Sequence, residues 1–166
     1  MAIEIELKYL VNGTNLDNEI TTLLKAAKIP FHQQTKQLVN HYFETPELNF
    51  RQHDMGLRVR ESNGCFEQTI KTAGKVIGGL HQRPEFNVAI DTNFPELALF
   101  PDEIWQGAQD IDELQPQLVS IFTTNFSRHI WLITAENGSE IELVLDLGFI
   151  SSSGGDEVIS EIELEL

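Results

Sequence analysis

Carboxylates and cations recur two residues apart in this chain. Glu4, Glu6 and Lys8 do so at the start, Arg58 and Arg60 near the middle, then Arg83 and Glu85, and Glu161, Glu163 and Glu165 at the end. Lys71, Arg128, Glu142 and Asp146 stand in stretches of the same apolar–polar alternation. Successive side chains of a strand point to opposite faces, so a spacing of two puts all these charges on one face. Paired carboxylates bind a hard divalent cation such as Mg²⁺ or Mn²⁺ through oxygen. Arg and Lys bind phosphate oxygens, Arg bidentately. A place that needs both is a site of phosphoryl transfer or phosphate hydrolysis, where metal and bases share the developing charge. The same pattern on an open sheet is only a solvated face. Closure with the charged face inward would instead gather the charges around a wet interior.

The elements that would carry these residues follow from the alternation. In the first strand Ile3, Ile5, Leu7 and Tyr9 oppose Glu4, Glu6 and Lys8. Asn12-Gly13 closes it, and Thr14 or Asn15 caps a helix running to about Lys28, with Leu16, Ile20, Leu23, Leu24 and Ala27 at helical spacing and Pro30 as the stop. Residues 34–44 read as a strand and 46–55 as a polar loop. Leu57 and Val59 alternate with Arg58 and Arg60 up to the hairpin signal Asn63-Gly64, and the chain returns through 66–72. Residues 73–82 read as a glycine-rich connection and 83–90 as a strand. Pro95, Pro101 and Pro116 punctuate a stretch of loop with short helices at about 101–106 and 110–119. Three long strands, at 121–135, 139–149 and 157–166, finish the chain, the first two joined at Asn137-Gly138. About eight strands joined by hairpins imply an antiparallel sheet that curls or closes, with its apolar face covered by helices and loops. The expected class is α+β, mainly antiparallel β: a closed eight-stranded barrel with a few flanking helices.

Composition narrows the functional classes. Eleven basic and 26 acidic residues give a net charge of −15, which argues against general nucleic-acid binding and makes the few cations informative. Six of the eleven (Lys8, Arg58, Arg60, Lys71, Arg83 and Arg128) lie on the charged strand faces. The single cysteine excludes an internal disulfide and a cysteine-based metal cluster. No apolar run nears the roughly 20 residues of a membrane span, and no signal pattern opens the chain, so a cytoplasmic protein without membrane contact is expected. The glycines at 74–79 do not form a P-loop, because Gly74-Lys75 is followed by Val76.

Taken together, the motifs resemble the CYTH, or triphosphate tunnel metalloenzyme, superfamily. Glu4-Ile5-Glu6-Leu7-Lys8 is similar to its E-x-E-x-K signature, Tyr42-Phe43-Glu44-Thr45-Pro46 to its tyrosine strand, and Gly56-Leu57-Arg58-Val59-Arg60 to its L-R-x-R strand. Thr69-Ile70-Lys71, Arg83-Pro84-Glu85-Phe86, Phe126-Ser127-Arg128, Glu142 to Gly148 and Glu161 to Glu165 supply the remaining elements in order. Gly78 to Glu85 looks closest to the bacterial inorganic triphosphatases, in which a helical CHAD domain usually follows the tunnel; that domain is absent from this chain, which reads as one CYTH domain over 1–166. The resemblance implies metal-dependent hydrolysis of inorganic triphosphate with Mg²⁺ or Mn²⁺. By carry-over, Lys8, Arg58, Arg60, Lys71, Arg128 and Arg83 grip the phosphates. Glu4, Glu6, Asp146, Glu161 and Glu163 hold metal, with Glu85, Glu142 and Glu165 as further ligands, and Lys8 with Tyr42 helps activate water. Phe126 stands where some members carry a basic residue. A class IV-type adenylate cyclase and a thiamine or nucleoside triphosphatase use the same residues, and a non-catalytic polyphosphate-binding module is the alternative of another class.

Overall fold

The computed structural model describes residues 1–105 and 109–166. Among the described residues there are nine strands: β1 (Ala2–Leu10), β2 (Phe31–Glu44), β3 (Gly56–Ser62), β4 (Cys65–Lys71), β5 (Lys75–Ile77), β6 (Leu80–Ile90), β7 (Val119–Thr134), β8 (Glu140–Ser152) and β9 (Gly155–Glu165). Eight of them close in the order β1-β9-β8-β7-β2-β3-β4-β6, and β6 pairs back onto β1. β5 is an extra strand on the free part of one β6 edge, outside the ring. Every pairing is antiparallel. Closure rests on β1, which pairs through Ala2–Leu7 with β6 and through Glu6–Leu10 with β9. The expected eight-stranded antiparallel barrel is the observed one.

The barrel interior carries the charges, with one apolar stretch of wall at Leu38, Phe126, Ile150 and Ile159, and the two larger cores lie between the wall and what covers it. Helix α1 (Leu16–Ala26) lays Ile20 and Leu24 on Trp131 and Leu145, and the Trp131 indole donates to Thr21 Oγ1 at 3.0 Å. On the other flank Phe43, Leu57, Val59, Ile70 and Phe86 are covered by Phe50 of the single-turn helix α2 (Asn49–Gln52). Leu97, Phe100, Ile104, Leu114 and Leu118 of the long connection complete that cover. The outer face of β1 is not covered as expected: Ile3 and Tyr9 remain 54% and 53% exposed.

Several boundaries differ from the expectations. β2 starts three residues early, because Phe31 packs under α1. The supposed loop at 46–55 contains α2, whose first-turn N–H groups are met by a buried carboxylate: Glu44 accepts from the backbone N–H of Phe50 and Arg51 at 3.1 and 3.0 Å, and from that of Thr45 at 2.8 Å. The supposed connection at 73–82 holds β5 and the start of β6, since the positive φ of Gly78 (61°) turns one into the other. Helix α1 follows Asn15 in the left-handed region, whose side chain does not cap it, and ends at Ala26. Of the short helices expected in the middle, the first is a 3₁₀ turn at Asp102–Ile104, with position 106 outside the described residues. The second is α3 (Ile111–Leu114) followed by a 3₁₀ turn. No helix among the described residues is long and apolar enough to cross a membrane.

Candidate functional site

The interior is a cavity of about 450 Å³. Strand phase and register together decide what lines it. Glu4, Glu6 and Lys8 enter from β1, Arg58 and Arg60 from β3, Lys71 from β4, Arg83 and Glu85 from β6, Arg128 from β7, Asp146 from β8, and Glu161, Glu163 and Glu165 from β9. Tyr42 reaches it from β2, the strand diametrically opposite β1 in the ring of eight. Of the residues singled out from sequence, Glu142 alone lies off the cavity wall; it sits across from Glu165 on β8 and β9. Phe126 lines the wall between Leu38 and Ile159. The strand backbone at 125–126 needs Gly148 opposite, where a Cβ would stand 2.5 Å from the Cα of Phe126 and 2.1 Å from the Asn125 carbonyl.

The acids converge because of pairing. Asp146 and Glu161 are directly opposite each other on β8 and β9, and Glu163 is the next residue of the same phase. One oxygen from each of Asp146, Glu161 and Glu163 lies within 4.8 Å of the others. Asp146 and Glu163 are only 2% and 4% exposed. This all-carboxylate set fits a hard divalent cation, and such buried acids stay charged only when paired or coordinated.

Three of the cations are held by acids of the cavity, two of them by this cluster. Arg128 donates to Asp146 through Nε at 2.9 Å and Nη2 at 2.7 Å, and to Glu163 at 3.1 Å. Lys8 meets Glu163 at 2.9 Å and Glu161 at 3.7 Å, and Lys71 pairs with Glu4. Burial pulls the Lys8 and Arg128 pKa values down, but the Glu163 carboxylate at Lys8 and the Asp146 carboxylate at Arg128 more than offset it. Both groups end above their ordinary values and stay protonated. Burial pushes the Asp146 carboxyl up, and Arg128 pulls it back only in part. At Glu163 burial also acts upward, yet Lys8 and Arg128 outweigh it and its pKa falls. Burial and the neighbouring acids Glu163 and Glu4 raise Glu6. Burial, Glu4 and Glu142 raise Glu165 to about 7.

The other three cations are different. Among the described residues Arg58, Arg60 and Arg83 have no carboxylate at ion-pair distance, and the buried Nε–H groups of Arg58 and Arg83 have no hydrogen-bond partner. Burial and the nearby Arg58 and Arg128 push the Arg60 guanidinium down to about 10. Half-buried cations that share a cavity without a carboxylate partner suit an anionic ligand.

Tyr42 stacks on Phe122, with ring centroids 4.4 Å apart and planes inclined by 19°, next to a register shift between Tyr42 and Phe43. No hydrogen bond joins it to Lys8, whose ammonium turns to Glu163. Sequence reading missed Asn40, Glu67, Thr69, Asn87, Phe122 and Thr124, which also line the cavity. All were within reach of the alternation rule: Asn40 is in phase with Tyr42, Glu67 and Thr69 with Lys71, Asn87 with Glu85, and Phe122 and Thr124 with Arg128. They carry no charge pattern of their own, or, like Glu67, no motif.

The CYTH domain family profile matches residues 2–166. The chain belongs to the CYTH domain family. This CYTH chain is 36% identical over 171 aligned residues to an inorganic triphosphatase of Haemophilus influenzae, an alignment that takes in all of the chain and 46% of the relative. The CYTH chain therefore spans about half the length of that relative. Among solved structures, a Hippeastrum protein described as a candidate adenylyl cyclase with a dominant triphosphatase activity superposes with a TM-score of 0.65 at 21% identity, over 98% of this chain and 79% of the other. That likeness is one of fold. A candidate adenylate cyclase from Bacillus halodurans superposes with a TM-score of 0.53 at 26% identity, over 100% of this chain and 82% of the other.

Proposed function

We propose that this CYTH domain hydrolyses inorganic triphosphate to pyrophosphate and phosphate inside the barrel, with Mg²⁺ or Mn²⁺ as cofactor. One observation carries the reading: the unpaired guanidinium groups of Arg58, Arg60 and Arg83 share a single cavity with the Asp146–Glu161–Glu163 carboxylate cluster. A ligand that satisfies both is a polyanion that travels with a divalent cation. The likeness to the Haemophilus influenzae inorganic triphosphatase supports the choice of substrate.

In this reading Lys8, Arg58, Arg60, Lys71, Arg83 and Arg128 bind the phosphate oxygens. Glu4, Glu6, Asp146, Glu161 and Glu163 hold the cation, with Glu85 and Glu165 beside them and Glu142 at the periphery. The bound cation supplies positive charge that neutralises phosphate oxygens. Lys8, whose ammonium lies 2.9 Å from Glu163, stabilises charge on the phosphate chain. The Tyr42 phenol, on the opposing strand, can hydrogen-bond the attacking water. One bridging P–O bond breaks as the water oxygen bonds to the phosphoryl group; the pyrophosphate oxygen takes the electron pair, and the water's protons end on product phosphate oxygens or in solvent.

A second reading, an organic triphosphate ester as substrate, is favoured by the apolar part of the cavity wall, where Tyr42, Phe122, Phe126, Ile150 and Ile159 gather. One assay separates the two. The chain is incubated with Mg²⁺ or Mn²⁺ and, in turn, inorganic triphosphate, ATP and thiamine triphosphate, and phosphate, pyrophosphate and cyclic AMP are measured. Phosphate chiefly from inorganic triphosphate is expected. Faster turnover of either ester, or cyclic AMP from ATP, replaces the first reading with the second; tight binding without turnover points to a polyphosphate-binding module.

A further inference from the structure

The barrel contains two arginine pairs built on the same plan with opposite electrostatic outcomes. Arg128 and Asp146 face each other across β7 and β8, and the carboxylate takes two of the guanidinium's hydrogen bonds and its charge. Arg60 and Asn40 face each other across β3 and β2. Here Arg60 Nε donates to Asn40 Oδ1 at 2.8 Å, and a neutral amide stands where the other pair has an acid. Asn40 is 1% exposed, and its Nδ2 donates to Thr124 Oγ1 at 3.1 Å across β2 and β7. These two bonds settle the amide's orientation, since a flipped amide would turn its NH₂ toward the Arg60 N–H.

The contrast matters because Arg60 is half-buried on the cavity wall with Arg58 and Arg128 nearby. An amide oxygen fixes the guanidinium through Nε and leaves both Nη groups free. It has no net charge, so the positive potential at Arg60 stays available to a ligand. A carboxylate in the same space would take the bidentate geometry of Asp146 and cancel that potential. We propose that Asn40 is a positioning residue that holds Arg60 on the cavity wall while leaving its positive charge unneutralised for a phosphate group of the ligand. The proposal rests on the triphosphate reading above.

The test uses Asn40→Asp and Asn40→Leu in the 166-residue chain. Tm, the Kd for inorganic tripolyphosphate by calorimetry with Mg²⁺, and KM and kcat are measured for each. Asn40→Asp is expected to keep Tm at or above that of the unaltered chain, because a new ion pair forms, yet to weaken tripolyphosphate binding at least tenfold, with KM rising more than kcat falls. Asn40→Leu strands the Arg60 Nε–H and is expected to lower both Tm and affinity. Binding by Asn40→Asp within twofold of the unaltered chain overturns the proposal. So does a fall in Tm that parallels the loss of affinity in both variants, which marks a purely structural residue. If the unaltered chain itself binds no tripolyphosphate, the triphosphate reading falls, and this proposal with it.

Discussion

Replacing Arg128 by Met is expected to destabilise the fold by about 3 kcal/mol, and the value follows from what the side chain leaves behind. Arg128 holds Asp146 through two hydrogen bonds and Glu163 through one. Both acids are almost fully buried. Removing one partner of a buried ion pair typically costs about 3–5 kcal/mol, because the other charge is stranded. The lower end applies here: the acids line a cavity that admits water, and Glu163 keeps Lys8 at 2.9 Å. At about 2.1 cal/mol/K per residue, a chain of 166 residues loses about 8–9 °C in Tm for ~3 kcal/mol. The assay is chemical and thermal denaturation of Arg128→Met, Asp146→Asn and the double variant. The double variant removes the stranded charge along with its partner, so it should be more stable than the sum of the single losses predicts, by about 1–2 kcal/mol. A single Arg128→Met loss under ~1 kcal/mol, or strict additivity, would refute the idea that the stranded carboxylate is the source of the penalty.

Three other outcomes are expected. Glu165, raised to about 7, keeps its proton in the folded state where the unfolded chain has lost it, so the ligand-free fold should lose stability as pH rises from about 4.5 through 7. At 1.36 kcal/mol per unit the ceiling is about 3 kcal/mol, and solvent in the cavity reduces it to roughly half; Glu165→Gln should flatten the slope in urea titrations at stepped pH. Mg²⁺ or Mn²⁺ at ~100 times its Kd should stabilise the chain by about 2.7 kcal/mol, reversibly with EDTA, and the Glu161→Gln/Glu163→Gln variant should lose this response in a thermal-shift series. Glu44→Gln turns an amide NH₂ or a weaker acceptor toward three backbone N–H groups, two of them in buried hydrogen bonds, and should cost about 2–3 kcal/mol in urea denaturation, with the loss centred on the α2 segment in hydrogen exchange.

The amino-acid sequence by itself determined the phase of each strand and thereby the inward face. Alternation is a local property, so Glu4, Glu6, Lys8, Arg58, Arg60 and Glu161–Glu165 could be assigned to one side of their strands without any long-range information. Turn chemistry at Asn63-Gly64 and Asn137-Gly138 was equally local and located two hairpins. What failed were elements whose cause is distant. Strand β5 exists because β6 offers an unpaired edge, and α2 because Glu44 is buried beneath it. The described parts of the proline-punctuated connection, 95–105 and 109–118, form single helical turns that cover Phe43, Leu57 and Phe86, a role set by the barrel wall and not by helical periodicity.

Only the tertiary structure decided which acid meets which base. Lys71 and Glu4 are 67 residues apart, and Arg128 and Glu163 are 35 apart. Their meeting depends on the ring order and on the register of every strand between them. The same closure sorted six similar cations into two sets: Lys8, Lys71 and Arg128 paired with acids, and Arg58, Arg60 and Arg83 without a carboxylate at ion-pair distance among the described residues. Nothing local separates Arg60 from Arg128. The difference is that one faces an asparagine across its strand pair and the other an aspartate, and register is a property of the folded sheet.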